Sequence, residues 1–540
     1  MCREDCRKSQ AFFKAARTQH AKLLLIRLNM ESVWMKEQNE NEMLRLNEST
    51  LTRRRVLQGI ARAAAASALP MESIMAAPAS GRVPAPTPIG SMMTELSEYM
   101  AAARGRELPA DVAEHAKHHI LDTFAAMVSG SDLPPGKVAI QFARSYAGEK
   151  VSTVAASNVV CGPMEAALCN GLLAHSDETD DSHAPSESHP GAPIVPATLA
   201  AGEKFGIDGN WFLRAVTLGY DVGPRIGMAL GGEEYRASSH RDTHSICGTF
   251  GASAAAGCVA GLNAQQMRWV LDYASQQASG IAAWQRDPDH IEKGFVFAGG
   301  PARNGVTSAL LVQAGWTGVD DVLSGADNFF LAFDPNADTS VITDKLGERY
   351  EIVRTNIKKW TVGSPIQAPL DAIEALQKKH PFTADQVQKV VVRVATTEAA
   401  IVDNRDAPDI CMQYMVAVML LDKTASFRAA HDKERMKDPA VMRERAKLQL
   451  VKDADLQKRL PHREAIVELT LTDGTKLTEH ITAVRGTSDN PMTKEEVVAK
   501  ARDLMTPVLG GPKVASLIEK VYALEKINNV RELRPLLQKM

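Results

Sequence analysis

Between Asn170 and Pro196 the chain reads NGLLAHSDETDDSHAPSESHPGAPIVP. Within fifteen positions it places His175, Asp177, Glu178, Asp180, Asp181, His183, Glu187 and His189. A solvated charge run is usually rich in Lys and Glu, poor in His, and has no reason to be bracketed by Gly, Pro and Ala. This one mixes carboxylates with imidazoles and ends in His189-Pro190-Gly191, a turn leading into a Pro-punctuated helix start. Carboxylate and imidazole side by side are the usual equipment for moving protons near neutral pH. The alternative is a plain acidic loop.

The surrounding pattern is helical. Met92 to Gly130 has apolar residues at helical spacing, and Ser129-Gly130 followed by Asp132-Leu133-Pro134-Pro135-Gly136 ends it in a loop. Pro163 to Ala174 is expected to be a helix that delivers the acidic stretch at its C-terminal end, and Trp211 to Gly227 another. In the latter, Asp221 and Arg225 are four apart, as a pair across one turn or as a buried anion-binding Arg. Aromatic residues are only 5% of the chain, which suits close-packed helices better than a β-sandwich. His115, His118 and His119 share one helix face, a spacing that can bind metal but is more often an ordinary surface feature. The seven cysteines form no CxxC pair, so a zinc ribbon or iron–sulfur run is not supported. A net charge of −3 with no domain-wide basic excess argues against nucleic acid, and no apolar run is long enough for a stable membrane span.

Two further segments carry chemistry. In Arg241 to Gly257, RDTHSICGTFGASAAAG, His244 precedes a glycine-punctuated helix. In KGFVFAGGPARNG, Lys293 and Arg303 lie among glycines that leave room for a ligand, the bland reading being a Gly-rich helix start. Neither GxGxxG nor GxxxxGK[ST] is present, so no nucleotide loop is expected.

Near Tyr350 the pattern changes. Tyr350 to Val353, Val390 to Val394 and Ile466 to Leu471 look like strands, with Asp473-Gly474 turning a hairpin into Lys476 to Ala483. Helices are expected at Pro369 to Lys379 and Met412 to Leu421, and Asp432 to Arg459 reads as a solvated helix face. The expected division is an N-terminal extension at 1–91, a large helical domain at 92–345, a smaller α+β domain at 346–490 and further helices at 491–540.

Taken in order, NGLLAHSDETDDSH…HPGAPIVPA, GYDVGPRIG, HSICGTFGASAAA, KGFVFAGGPARNGVTSALLVQAGWTG, CMQYMVAVMLLD and RGTSDNPMT resemble the 2-methylcitrate dehydratase (MmgE/PrpD) family, which includes cis-aconitate decarboxylase and iminodisuccinate epimerase. The resemblance implies a mainly α fold, with a large all-helical domain, an α+β lid and C-terminal helices returning to the helical domain. It also implies a homodimer that needs no metal or other cofactor. By motif it places Glu178 at the family's catalytic Asp, Ser182 at its Thr, and His189 and His244 at its two catalytic histidines. Lys293 and Lys358 fall at its substrate-contacting lysines and Tyr414 at a lid tyrosine. Gln367 stands where many members have His, and the loop from Ser182 to His189 is one residue longer than in the decarboxylase.

These residues suit proton removal beside a carboxylate: His189 and His244 transfer the proton, Glu178 orients or charges one of them, and the lysines hold carboxylates. The leading expectation is a cofactor-independent dehydratase of a small di- or tricarboxylic hydroxy acid. Decarboxylation or epimerisation follows from similar carbanion chemistry. The rival classes are a metal-dependent hydrolase, with Asp177, Asp180, Asp181, His183 and His189 as ligands, and a binding protein that retains carboxylates without turnover.

Upstream, Arg53-Arg54, an Ala-rich segment and Ala77-Pro78-Ala79 resemble a twin-arginine export signal, with residues 80–91 as linker. A periplasmic or exported location follows if the signal works, a cytoplasmic one if it does not. Fractionation of the native host should find mature chain outside the cytoplasm. Full-length protein confined to the cytoplasm and indifferent to Arg53→Lys/Arg54→Lys contradicts the signal.

Overall fold

Glycine and alanine let the helices of this chain approach backbone to backbone. The computed structural model describes residues 88–539, so the Arg53-Arg54 segment, the Ala77-Pro78-Ala79 site and most of the expected linker lie outside the described residues. The fold is mainly α. Its longer N-terminal helices are α1 (Ser91–Ala102), α2 (Ala110–Gly130), α3 (Pro134–Ser145), α4 (Pro163–Ala174), α5 (Gly191–Phe205), α6 (Gly209–Leu230), α7 (Thr243–Val259), α8 (Ala264–Gln277) and α9 (Gly300–Gln313). A short ribbon, β1 (Ser152–Thr153) and β2 (Val160–Cys161), precedes α4.

Helix α7 is central: all its residues are buried, as expected of a helix apolar on every side. A Cβ on Gly219 of α6 would lie 2.9 Å from Gly251 O of α7, and one on Gly251 would lie 2.8 Å from Gly219 O. Any larger residue at either position forces the two helices apart. Gly305 of α9 meets Ala252 of α7 in the same way. This close packing brings the first turn of α7, with His244, up to His189 at the entry to α5.

A second apolar cluster lies between Trp360 and Val484. It joins α10 (Ser364–Lys379) and α11 (Met412–Asp422) to a four-stranded sheet of order β4-β3-β5-β6. Strand β3 (Val387–Ala395) runs parallel to β4 (Leu448–Asp453) and antiparallel to β5 (Ala465–Leu471), which returns through Gly474 (φ +87°) to β6 (Lys476–Ile481). After it, α12 (Lys494–Leu509) starts at a capping box of Thr493 and Glu496, followed by α13 (Gly511–Tyr522). Their apolar faces, and the chain as far as Leu537, join the first cluster. Among the described residues no helix is long and apolar enough to cross a membrane.

Two local expectations fail. Tyr350 to Val353 is not a strand: Glu351–Arg354 forms a 3₁₀ turn, because Tyr350 and Ile352 bury in the helical core while buried Glu351 binds Arg349 Nε at 2.8 Å and Arg354 at 2.7 Å. Asp432 to Arg459 is not one solvated helix. It holds a short helix, Pro439–Arg445, and strand β4, whose charges are those of a sheet edge.

Arg225 is not free to bind an anion. Its guanidinium is buried, pairs with Asp221 at 3.2 Å, and donates to Val341 O, Asp344 O and Arg349 O at 3.0, 2.7 and 2.9 Å. Removing one member of such a buried network leaves uncompensated charge and unpaired carbonyls. Arg225→Met should therefore lower the unfolding free energy by about 3–5 kcal/mol in urea titration. An unchanged midpoint contradicts this structural role.

Candidate active site

The acidic stretch begins where α4 stops, with His175 as its C-cap, and ends where α5 starts at Gly191. Between them every residue from His175 to Asp181 is buried. A buried loop must satisfy its own polar groups, and this one pairs most of them. Asp177 accepts from Thr179 N at 3.0 Å and from Thr179 Oγ1 at 2.7 Å. Asp181 accepts from Gly191 N at 2.9 Å and Tyr220 Oη at 2.6 Å, and lies 2.7 Å from His119 Nδ1. From α12, Lys500 donates to Thr179 O at 2.9 Å and pairs with Asp122 at 2.6 Å. Lys358 donates to Glu178 O at 2.8 Å, and Ser182 pairs through its main chain with Asn356.

Asp180 is the pivot. Its two oxygens meet His175 Nδ1 at 2.9 Å and His189 Nδ1 at 3.1 Å. Burial pushes its carboxyl up, but the facing His175 and His189 more than offset this and hold it well below the usual range. An ionised carboxylate only accepts, so both imidazoles donate from Nδ1 and direct Nε2 away from it. Burial pushes the His189 imidazole down to about 4, with Asp180 opposing, so His189 is a neutral base at neutral pH.

His244 is oriented in the same way. Its Nδ1 lies 3.3 Å from Asp242, which caps α7 through Ser245 N and accepts from Trp284 Nε1 at 2.6 Å. Phe297 stacks on His244 and on His175 with centroids 3.7 and 4.6 Å apart, and His189 stands 5.4 Å from His244. Lys293 forms a direct ion pair with Glu178 and lies over the rings of Trp284 and Phe297, 5.3 and 5.1 Å from their centroids. Lys358 Nζ lies 3.7 Å from Glu178 Oε2 and 3.8 Å from Asp180 Oδ1. Burial raises the Glu178 carboxyl, but Lys293 and Lys358 more than offset this and hold it well below its ordinary value.

The structure thus brings together Glu178, His189, His244, Lys293 and Lys358. It changes one role: Asp180, not Glu178, orients His189, while Glu178 faces the lysines. Two expected members stand apart. Ser182 enters through its backbone, and Tyr414 is buried in the second cluster with its hydroxyl donating to Ala429 O at 2.8 Å. The glycines after Lys293 serve packing: a Cβ on Gly294 or Gly299 would lie 2.8 Å from His175 O or Leu168 O, so α4 fills the room expected for a ligand.

Sequence reasoning gave no role to His175, Asp242, Trp284, His290 and His431. The Asp242-Thr243-His244 spacing was a usable signal; the rest come from loops with no periodicity. His290 has left-handed backbone (φ +61°) and packs on His175 with centroids 5.2 Å apart. His431 Nε2 lies 2.9 Å from Asp177, reaching the loop from the segment that Tyr414 supports.

The ligand set of the hydrolase reading is not assembled. Asp181 faces His119 and Tyr220, His183 binds Ser186 and Glu351, and Asp177 faces His431. His118 and His119 also part company, His118 edging against Tyr522. Donor atoms of His175, Asp180 and His189, and of His175, Glu178 and His290, do lie within 4.8 Å of one another. Around them the carboxylates already face imidazole N–H groups or ammonium groups.

Comparison with known proteins identifies the family. Residues 94–341 match the MmgE/PrpD N-terminal domain and residues 360–525 the MmgE/PrpD C-terminal domain. A cis-aconitate decarboxylase-like protein, oryM, of Aspergillus oryzae is 26% identical over 486 residues, covering 84% of this chain and 98% of the relative. Cis-aconitate decarboxylase of Aspergillus terreus is 26% identical, covering 82% and 95%. The Homo sapiens protein of that name is 25% identical, covering 83% and 95%.

The Asp177–His431 contact has a pH signature. Burial works against the His431 cation, but Asp177, with Asp409 and Phe427 O, raises it to about 9. A raised folded value means stabilisation fully present below the unfolded value of about 6.5 and lost as pH rises through about 9. His431→Gln should therefore cost about 3 kcal/mol of unfolding free energy at pH 6 and almost nothing at pH 10. A gap that is constant across that range contradicts the ion pair.

Proposed function

Because the chain belongs to the MmgE/PrpD family, we propose that its buried imidazole–carboxylate cluster is the active centre of a lyase acting on a small polycarboxylate. The observation that carries this reading is the Asp180 carboxylate held between His175 and His189, with His244 facing His189 at 5.4 Å.

The chemistry follows from the groups present. Taking a proton from carbon beside a carboxylate puts charge on the carboxylate oxygens, and Lys293 and Lys358 are placed to share it. His189, neutral and directed by Asp180, is the base; His244, directed by Asp242, is the partner that gives or receives the second proton. In a dehydration the base takes the C–H proton, the electron pair forms the double bond, and the hydroxyl leaves as water after protonation by the partner. In a decarboxylation the carbon–carbon bond breaks, carbon dioxide leaves, and the acid protonates the carbon.

Dehydration of a hydroxy acid is the leading assignment. Decarboxylation is the second reading, favoured by relatives that carry the name cis-aconitate decarboxylase over nearly their whole length. With Glu178, His244 and Lys358 all buried, reactant entry requires the segments carrying Lys358 and His431 to move away from the loop, which is the part a lid would play.

Product detection on 2-methylcitrate, citrate, cis-aconitate and simpler hydroxy acids separates the two chemistries. On whichever acid reacts, His189→Ala should lose about 100- to 10,000-fold in kcat while still folding, with a lowered melting temperature because Asp180 loses one of its two imidazole partners. Lys293→Met should raise KM and lower kcat, since its charge serves both binding and the developing carbanion. Near-normal kcat in folded His189→Ala sinks the assignment. Carboxylate binding without any product favours the binding-protein class.

A further inference from the structure

The two lysines that would receive substrate carboxylates already have an anion. Glu178 forms a direct ion pair with Lys293 and lies 3.7 Å from Lys358, and both ammonium groups are largely buried. The third cation beside the loop, His431, is held by Asp177. Other buried cations nearby are committed behind the loop, Lys500 to Asp122 and Thr179 O, and Arg225 to Asp221 and main-chain carbonyls. A carboxylate buried without a cation costs several kcal/mol. Each incoming carboxylate must therefore share a lysine with Glu178 or stand unpaired.

The remaining groups at this spot are hydrogen-bonding groups. The Nε2 atoms of His175 and His290 are buried and lack a partner. Burial and nearby Lys293 push the His290 imidazole well down, so it is an uncharged donor or acceptor. Its left-handed backbone is a strained conformation that persists only where the surroundings enforce it, commonly at binding sites. A hydroxyl, which can donate to the His175 nitrogen and accept from the His290 one, matches such a pair.

We propose that the site selects an acid with two carboxylates and an uncharged polar substituent, and that Glu178 is the residue excluding a third carboxylate by holding its place on Lys293. With Glu178 in place, each of the two lysines can take one further carboxylate beside it. A third, such as cis-aconitate carries, has no cation of its own. The inference rests on the lyase reading, and it separates this chain from the named activity of its relatives.

The test compares matched acids, 2-hydroxysuccinate and 2-methyl-2-hydroxysuccinate against citrate, 2-methylcitrate and cis-aconitate. Steady-state kinetics are run alongside calorimetric binding, which needs no turnover. Wild-type protein should favour the dicarboxylates by at least about tenfold in kcat/KM or affinity, a step of about 1.4 kcal/mol. Glu178→Asp shortens the side chain by one methylene, and Glu178→Gln removes its charge at constant length. Both should narrow that preference by about tenfold, largely by lowering KM for the tricarboxylates. A wild-type preference for tricarboxylates overturns the inference and leaves the lyase reading standing. So does an unchanged ratio in either variant with normal melting. Failure of every acid to bind or react overturns both.

Discussion

An ionised carboxylate buried between two imidazoles is the interaction on which the rest of this structure depends. Asp180 has no exposure to water, so its charge is tolerable only because His175 and His189 donate to both oxygens and Lys358 stands 3.8 Å away. That demand dictates the loop. His175 must sit at the last turn of α4 and His189 at the entry to α5, with the chain folded back between them. Asp181, next along, anchors the same loop to α2 through His119 and to α6 through Tyr220. The loop is thus a buried polar network in which nearly every member has a partner, the condition under which such networks specify one geometry.

The helical packing serves that loop. Glycines on α6, α7 and α9 allow backbone contact, and this draws the N-terminal turn of α7 with its Asp242–His244 pair to within one ring of His189. Phe297 fills the space between the imidazoles. Two distant segments complete the electrostatics: Lys358 just before the second apolar cluster, and His431 beyond α11. Chain far apart in sequence converges on one cluster of charges, so the chemistry of the centre depends on how these parts meet.

Much of this was legible beforehand. Pro163 and the run to Ala174 marked α4 at both ends, because Pro favours the first helical turn and the polar stretch stops the apolar periodicity. Asp473-Gly474 announced its hairpin because few other pairs fit a tight turn. The motifs pointed to His189, His244, Lys293 and Lys358, side chains that the structure brings together. The division of labour between Glu178 and Asp180 was not, since a loop has no periodicity to say which of two nearby carboxylates faces an imidazole and which a lysine. The same absence hid His290 and His431. The YEIV run beginning at Tyr350 misled because local β propensity was overruled by a buried Glu351 that needed its cations.

The tautomers of the two imidazoles test the Asp180 bridge most directly. Histidine-selective nitrogen-15 labelling with long-range proton–nitrogen correlation, at neutral pH, reports which ring nitrogen carries the proton. His175 and His189, assigned by single substitutions, should both carry a proton on Nδ1, with His189 Nε2 free, and Asp180→Asn should release both from that state. Rings protonated at Nε2 with bare Nδ1, unchanged by Asp180→Asn, would contradict the bridge and the proton-transfer role built on it.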